Sequence, residues 1–194
     1  MIKRNRKLAV LGQHMMEDYK HVDTIIDTSL STAKHSCKIG CAACCKQLVQ
    51  LSPPEAAAIA LKYPAVLAAK RSQISAQDKH LRSLLTQIFG TSASIAIEVS
   101  EYRQKIEQIA DLWWEEQRDC VFLTNDNTCS VYEARPLACR AYYVRSDPAR
   151  CFGVKKNKVE VFQFGVVAAV QAHLIAHTGQ LRISYLPLVL AAVQ

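Results

Sequence analysis

Apolar residues recur at helical spacing along most of the chain. Leu8, Leu11, Met15, Tyr19, Val22, Ile26 and Leu30 step by three and four, which predicts a helix from about Leu8 to Ala33 with one stripe facing the core. Ser52-Pro53-Pro54-Glu55 reads as the start of a second helix, with Ser52 as N-cap, Pro53 as first helical residue and Glu55 as the reciprocal capping-box partner. It runs through an alanine-rich stretch to near Tyr63, where Pro64 ends or redirects it. Val66, Leu67, Ile74, Leu81, Leu84, Leu85 and Ile88 predict a further helix or helix pair from Ala65 to about Phe89, stopped by Gly90. The clearest long helix is predicted from Ser92 to about Gln117, with Ile95, Val99, Tyr102, Ile106, Ile109, Leu112 and Trp113 on one side. Of the pair Trp113-Trp114, the first is expected in the core and the second at its rim.

The pattern changes after Cys120. Val121-Phe122-Leu123 and Ser130-Val131-Tyr132 flank Thr124-Asn125-Asp126-Asn127-Thr128, which predicts a short hairpin or two extended arms joined by an Asx-rich turn. That turn lacks the glycine and terminal glutamate of a calcium loop. Glu133 to Arg140 predicts a short helical turn starting near Pro136 and directing Cys139 back toward the other cysteines. Val159 to about His177, ending at Gly179, predicts another helix, and Leu186 to Val193 a short apolar terminal element. The fold class is therefore mainly α: one helical domain over 1–194, carrying a cysteine-rich segment of loop and short hairpin over about 37–151, flanked by N- and C-terminal helices.

Composition adds the chemistry. Half of the 194 residues are hydrophobic, enough for a sizeable core. The apolar run Leu8 to Leu11 is too short for a secretory signal core, and Phe162 to Ile175 is too short and too often interrupted by Gln163, Gln171 and His173 to span a membrane. A cytoplasmic protein with no membrane partner is expected. The formal charge of +7 gathers in Lys3, Arg4, Arg6 and Lys7 and in Lys155, Lys156 and Lys158. These read as solvated tails and not as a nucleic-acid surface, because no stacking aromatics or nucleic-acid module accompany them.

Cysteines change the picture most. Cys37, Cys41, Cys44 and Cys45 place four thiols in nine residues, and Cys120, Cys129, Cys139 and Cys151 supply the other four of the chain's eight. In a reducing compartment such clustering favours metal or redox chemistry over a disulfide framework. Thiolates are soft anionic ligands, suited to zinc, to iron, or to an iron-sulfur cluster. The two groups predict ligand-bearing segments brought together by the intervening helices. Adjacent Cys44 and Cys45 point in different directions in most backbone conformations, which suits two metals, a bridged pair, or one ligand beside one packed thiol. Arg135, Arg140, Arg145 and Arg150 are candidate counter-charges for an anionic centre. His35, two residues before Cys37, is a candidate additional ligand, whereas His14 and His21 read as surface residues. His173 and His177 lie one helical turn apart, but Leu174 stands where a zinc-protease helix carries glutamate.

Cys37-x3-Cys41-x2-Cys44-Cys45, Cys120 with Phe122-Leu123, Cys129 with Val131-Tyr132, and Arg135-Pro136-x-x-Cys139-Arg140 occur in an order that resembles the YkgJ-like CxxCxxCC family of zinc- or iron-chelating cysteine clusters. The resemblance covers roughly Cys37 to Cys151 and implies metal chelation through up to eight cysteines: Cys37, Cys41, Cys44, Cys45, Cys120, Cys129, Cys139 and Cys151. Some relatives are lysine methylases of flagellin with an iron-sulfur centre, so the alternative function it implies is an iron-sulfur-dependent protein-modifying enzyme acting on a protein substrate. The C-x3-C-x2-C spacing is also similar to that of radical-SAM enzymes. However, Ala43 replaces the aromatic residue usual before their last cysteine, and no strand and helix alternation accompanies it. The expected function is a metal-binding protein without an assigned catalytic residue.

Overall fold

The computed structural model describes residues 6–90, 99–152, 159–170 and 184–193 of the chain. The basic positions Lys3, Arg4, Lys155, Lys156 and Lys158 lie outside them, as do Ile95, His173, His177 and Gly179. Among the described residues the protein is mainly helical: α1 Arg6–Ser31, α2 Pro53–Lys62, α3 Pro64–Ala69, α4 Arg71–Phe89, α5 Val99–Glu115, α6 Leu137–Arg140 and α7 Leu186–Val193. Residues 165–170 are also helical. None of these helices is long and apolar enough to cross a membrane.

The stripe of α1 is buried as its spacing demands, with Met15, Tyr19, Val22, Ile26 and Leu30 all in the core. It packs on α2, whose Ala56, Ala57, Ala58, Ile59 and Ala60 are buried. Gly12 explains how closely the two helices approach. A Cβ there would lie 2.9 Å from both the Ala57 carbonyl carbon and the Ala58 nitrogen, and backbone at that distance cannot move aside locally. Gly12→Ala is therefore expected to push α1 from α2 and to cost about 1–3 kcal/mol, the usual penalty of overpacking. Chemical denaturation of the variant would measure it, and an unchanged midpoint would mean the helices part without loss.

A second group of contacts joins α4 and α5 through Leu81, Leu84, Ile109 and Trp113, with Tyr185 added from far along the chain. Trp114 is buried as well, at 8% exposure against 3% for Trp113, so the expectation of a rim position fails. The predicted helix over Ser92–Gln117 is described only from Val99, and its first residues fall outside the described set.

Two extended segments meet across most of the chain. β1, Gln50–Leu51, pairs antiparallel with β2, Ser184–Tyr185, in the register Gln50 to Tyr185 and Leu51 to Ser184. The Leu186 N–H also donates to the Val49 carbonyl at 2.8 Å, and α7 packs against α2 and α4. The helix expected from Val159 does not begin there. Residues 159–164 are not helical, because Arg145 N–H donates to Glu160 O at 2.9 Å and Phe162 N–H to Tyr143 O at 2.8 Å, with Val144 and Val161 bridged antiparallel. Helix starts at residue 165 and is described only to 170.

Candidate metal centre

The first cysteine segment follows α1 and is held by the chain around Val144. Ser36 N–H donates to Val144 O at 2.9 Å, Ser36 Oγ donates to Ser146 O at 2.6 Å, and Val144 N–H donates to Cys37 Sγ at 3.4 Å. The loop then turns tightly, with Cys41 N–H donating to Lys38 O at 3.0 Å and Gly40 at φ +83°, a conformation side chains rarely adopt. Cys44 and Cys45 ride on the 3-10 turn Ala43–Lys46.

That turn reaches the second segment through its backbone, where Cys120 N–H donates to Cys45 O at 2.7 Å. The predicted hairpin contracts to one antiparallel bridge between Leu123 and Cys129. Between them Thr124 closes the turn by donating its N–H to Thr128 O at 2.9 Å and accepting Thr128 N–H on Oγ1 at 3.1 Å. Cys120 and Cys129 pack on the apolar cluster of Leu51, Ile59, Val121, Phe122 and Val131, so hydrophobic burial fixes their side of the site.

Cys139 is positioned by a polar clamp that joins three helices. Glu55 fulfils its capping role by accepting Ser52 N–H at 2.7 Å, and its other oxygen accepts Leu137 N–H at 2.8 Å, at the first residue of α6. Tyr19 Oη of α1 donates to the same carboxylate at 3.4 Å. One residue beyond Cys139, Arg140 is buried at 1% exposure. Its guanidinium pairs with Asp23, donates to the carbonyls of Glu133 and Arg135, and lies 3.9 Å from the centre of the Tyr19 ring. Cys151 ends the 3-10 turn Pro148–Cys151, capped by Asp147, whose carboxylate accepts Ala149 N–H at 2.8 Å.

These supports bring all eight cysteines, each a half-buried free thiol, to the wall of one cavity of about 940 Å³. No three metal-binding side chains among the described residues stand in an arrangement ready to hold an ion. Zinc–sulfur bonds of about 2.3 Å put tetrahedral sulfurs roughly 3.8 Å apart, so binding requires side chains to move from where they stand. The donor set fits a thiophilic ion, and the electrostatics show how crowded it is. Burial pushes the Cys139 thiol well above its usual range, and neighbouring Cys120, Cys44 and Cys129 push it further. Cys44 is raised by its hydrogen bond to Cys45, then by burial and by the Cys45 charge. Burial raises Cys120 to about 11 from an ordinary 9.0. Arg135 lines the cavity and acts in the opposite direction on Cys44, Cys129 and Cys139, favouring their anions.

A pH dependence follows for the metal-free, reduced protein. Below pH 9 the Cys120 thiol is protonated folded or unfolded; between 9 and 11 the unfolded chain ionises first, so stability declines as pH rises through that window. Two pKa units correspond to on the order of 2–3 kcal/mol. Denaturation midpoints at pH 8 and pH 10.5 measure the loss, and equal midpoints would contradict it. Metal must displace these protons, so its affinity falls as pH drops.

The four candidate counter-charges separate. Arg135 faces the thiols, Arg140 belongs to the clamp, Arg145 stacks on Phe162 at 4.2 Å, and Arg150 is exposed. Glu133, two residues before Arg135, pairs with Lys62 instead. His35 lines the cavity and meets Tyr143 edge-on at 5.4 Å, while His14 and His21 are exposed. Tyr142, Tyr143 and Leu186 also line the cavity and were not singled out from sequence. For the tyrosines the signal was their place directly after Cys139-Arg140-Ala141.

No curated protein and no solved structure matches the chain. A family model described as "CxxCxxCC: Putative zinc- or iron-chelating domain" matches residues 36–163, which spans every cysteine and the clamp residues Glu55 and Arg140. With its eight thiols around one cavity, the chain belongs to this CxxCxxCC family.

Proposed function

We propose that the protein binds zinc or iron by drawing ligands from Cys37, Cys41, Cys44, Cys45, Cys120, Cys129, Cys139 and Cys151. The observation that carries this reading is the convergence of two sequence-distant groups of free thiols on one cavity wall, with the Arg135 guanidinium beside them. Packing alone gives no reason to gather cysteines in one place, whereas a thiolate-bound ion needs about four of them together. Binding would tie the loop around Cys37 to the segments carrying Cys120, Cys139 and Cys151, so the ion serves as a cross-link as well as a cargo.

The size of the cavity favours a second reading beside simple chelation. About 940 Å³ exceeds the needs of a single ion and would admit an iron-sulfur cluster together with a cosubstrate, as in a protein-modifying enzyme such as a lysine methylase. Metal and acid-labile sulfide analysis on protein purified without air separates the two. Zinc or iron without sulfide supports chelation, and comparable iron and sulfide in brown protein supports the cluster enzyme. Protein that neither carries nor takes up metal overturns both.

A further inference from the structure

Arg135 stands apart from the other cations of the site. Its guanidinium lines the cavity and lies 4.1 Å from the centre of the Tyr132 ring, a contact that holds it against the wall. Among the described residues no carboxylate pairs with it. Glu133 goes to Lys62 and Asp23 to Arg140, and Asp27, which also lines the cavity, makes no ion pair with it. The Arg135 Nε is shut off from solvent and has no acceptor among the described residues. A guanidinium carries several N–H donors, and withdrawing one from water without a partner is costly. Such a cation is incompletely solvated, so it gains from an anion brought to its terminal nitrogens.

The walls select the kind of anion. At about 940 Å³ the cavity lies at the upper end of the range of small-molecule sites, roughly 300–1,000 Å³. Apart from the cysteines its surface is mostly apolar and aromatic, with Leu30, Leu48, Leu186, Tyr142 and Tyr143 among the lining residues. Tyr143 stands beside Arg135 and meets His35 edge-on at 5.4 Å and Phe164 at 6.2 Å, so rings back this part of the wall. A bare inorganic oxyanion would satisfy the guanidinium and leave that apolar surface wet. A molecule with an apolar body uses both. A carboxylate is the matching charged end, because its two oxygens fit the planar fork of an arginine.

We infer that the cavity also takes a small organic carboxylate, whose charged end meets the Arg135 guanidinium and whose apolar body lies against the leucine and tyrosine wall. This goes beyond metal binding and stands without it, since no cysteine contributes to the contact. The sulfurs are already part of the cavity wall, so an ion held among them adds little to what fills the space and leaves room for the carboxylate.

The test is a nuclear magnetic resonance titration of the full reduced chain, as purified and after treatment with a chelator. The probes are benzoate, benzamide and benzylamine, which share a shape and differ in charge, together with inorganic phosphate. In both states benzoate is expected to bind saturably and about tenfold or more tightly than benzamide, as charge-assisted hydrogen bonds allow, with benzylamine and phosphate weaker still. Arg135→Met is expected to abolish the preference for benzoate over benzamide, and Arg135→Lys to keep only part of it, because an ammonium lacks the fork. Equal binding of benzoate and benzamide would make the cavity merely apolar. Phosphate as tight as benzoate would make it a site for bare oxyanions, and a preference that survives Arg135→Met would place the charge elsewhere. Each of these overturns the inference, as does binding seen only after chelation or not at all. The series on the wild-type chain decides even where a variant folds poorly, and its failure leaves chelation intact.

Discussion

Cys139→Ser is expected to lower the bound metal and to reduce the melting temperature of the loaded protein more than any other single cysteine change. Its thiol is the one held on α6 by the buried clamp, so as a ligand it would join the segment after Pro136 to the other cysteines. Structural zinc contributes on the order of 10 kcal/mol to small domains, and a site deprived of one sulfur retains only part of that. The helices α1, α2 and α4 have apolar contacts of their own, so far-UV circular dichroism should persist while the cysteine end loosens. Metal analysis beside a thermal melt tests this directly. Unchanged metal content and melting in the variant would show that Cys139 is a packed thiol and not a ligand.

Arg140→Met is expected to cost about 1–3 kcal/mol even in the metal-free protein, because the carbonyls its buried guanidinium satisfies lose their donor, while the partly exposed Asp23 regains water. Methionine fills much of the volume but offers no donors. The carbonyls of Glu133 and Arg135 would lose their partner, Asp23 its cation, and the Tyr19 ring the guanidinium above it. The backbone that loses support is the turn carrying Cys139, so metal affinity should fall along with stability. Denaturation of the metal-free protein isolates the first effect, and competition with a chelator reports the second. A midpoint within error of the wild type would mean the clamp is ornamental to folding.

Legibility of the sequence divides along a physical line. The stripe of α1, the start of α2 at Ser52, the chain break at Pro64 and the turn begun at Pro136 each depend on neighbours within a few positions, and each is found where it was expected. Convergence of the cysteines was legible from their number and clustering, because thiols are seldom concentrated without chemical use. What escaped depends on partners far away. Glu55 reads locally as a capping residue, and nothing near it announces that its second oxygen reaches Leu137. Val159 to Phe164 was read as the start of the helix behind it, although its valines and phenylalanines favour extended chain, and it pairs with the distant backbone around Val144. The roles of Arg135 and Arg140 are indistinguishable in sequence, since only the fold decides which guanidinium meets thiols and which meets Asp23. β1 and β2 are each too short to carry a periodic signal and exist because tertiary packing aligns them.

The pairing of β1 with β2 also sets an order in time. Every cysteine precedes Ser184 in the chain, yet Leu186, which follows directly on β2, forms part of the cavity wall. During synthesis the thiols leave the ribosome before that wall can close over them. In that interval they are exposed to oxidants, to competing metals and to one another, as non-local pairings generally leave nascent chains vulnerable. A nascent chain stalled before Ser184 therefore carries every cysteine while its cavity still lacks Leu186 from the wall.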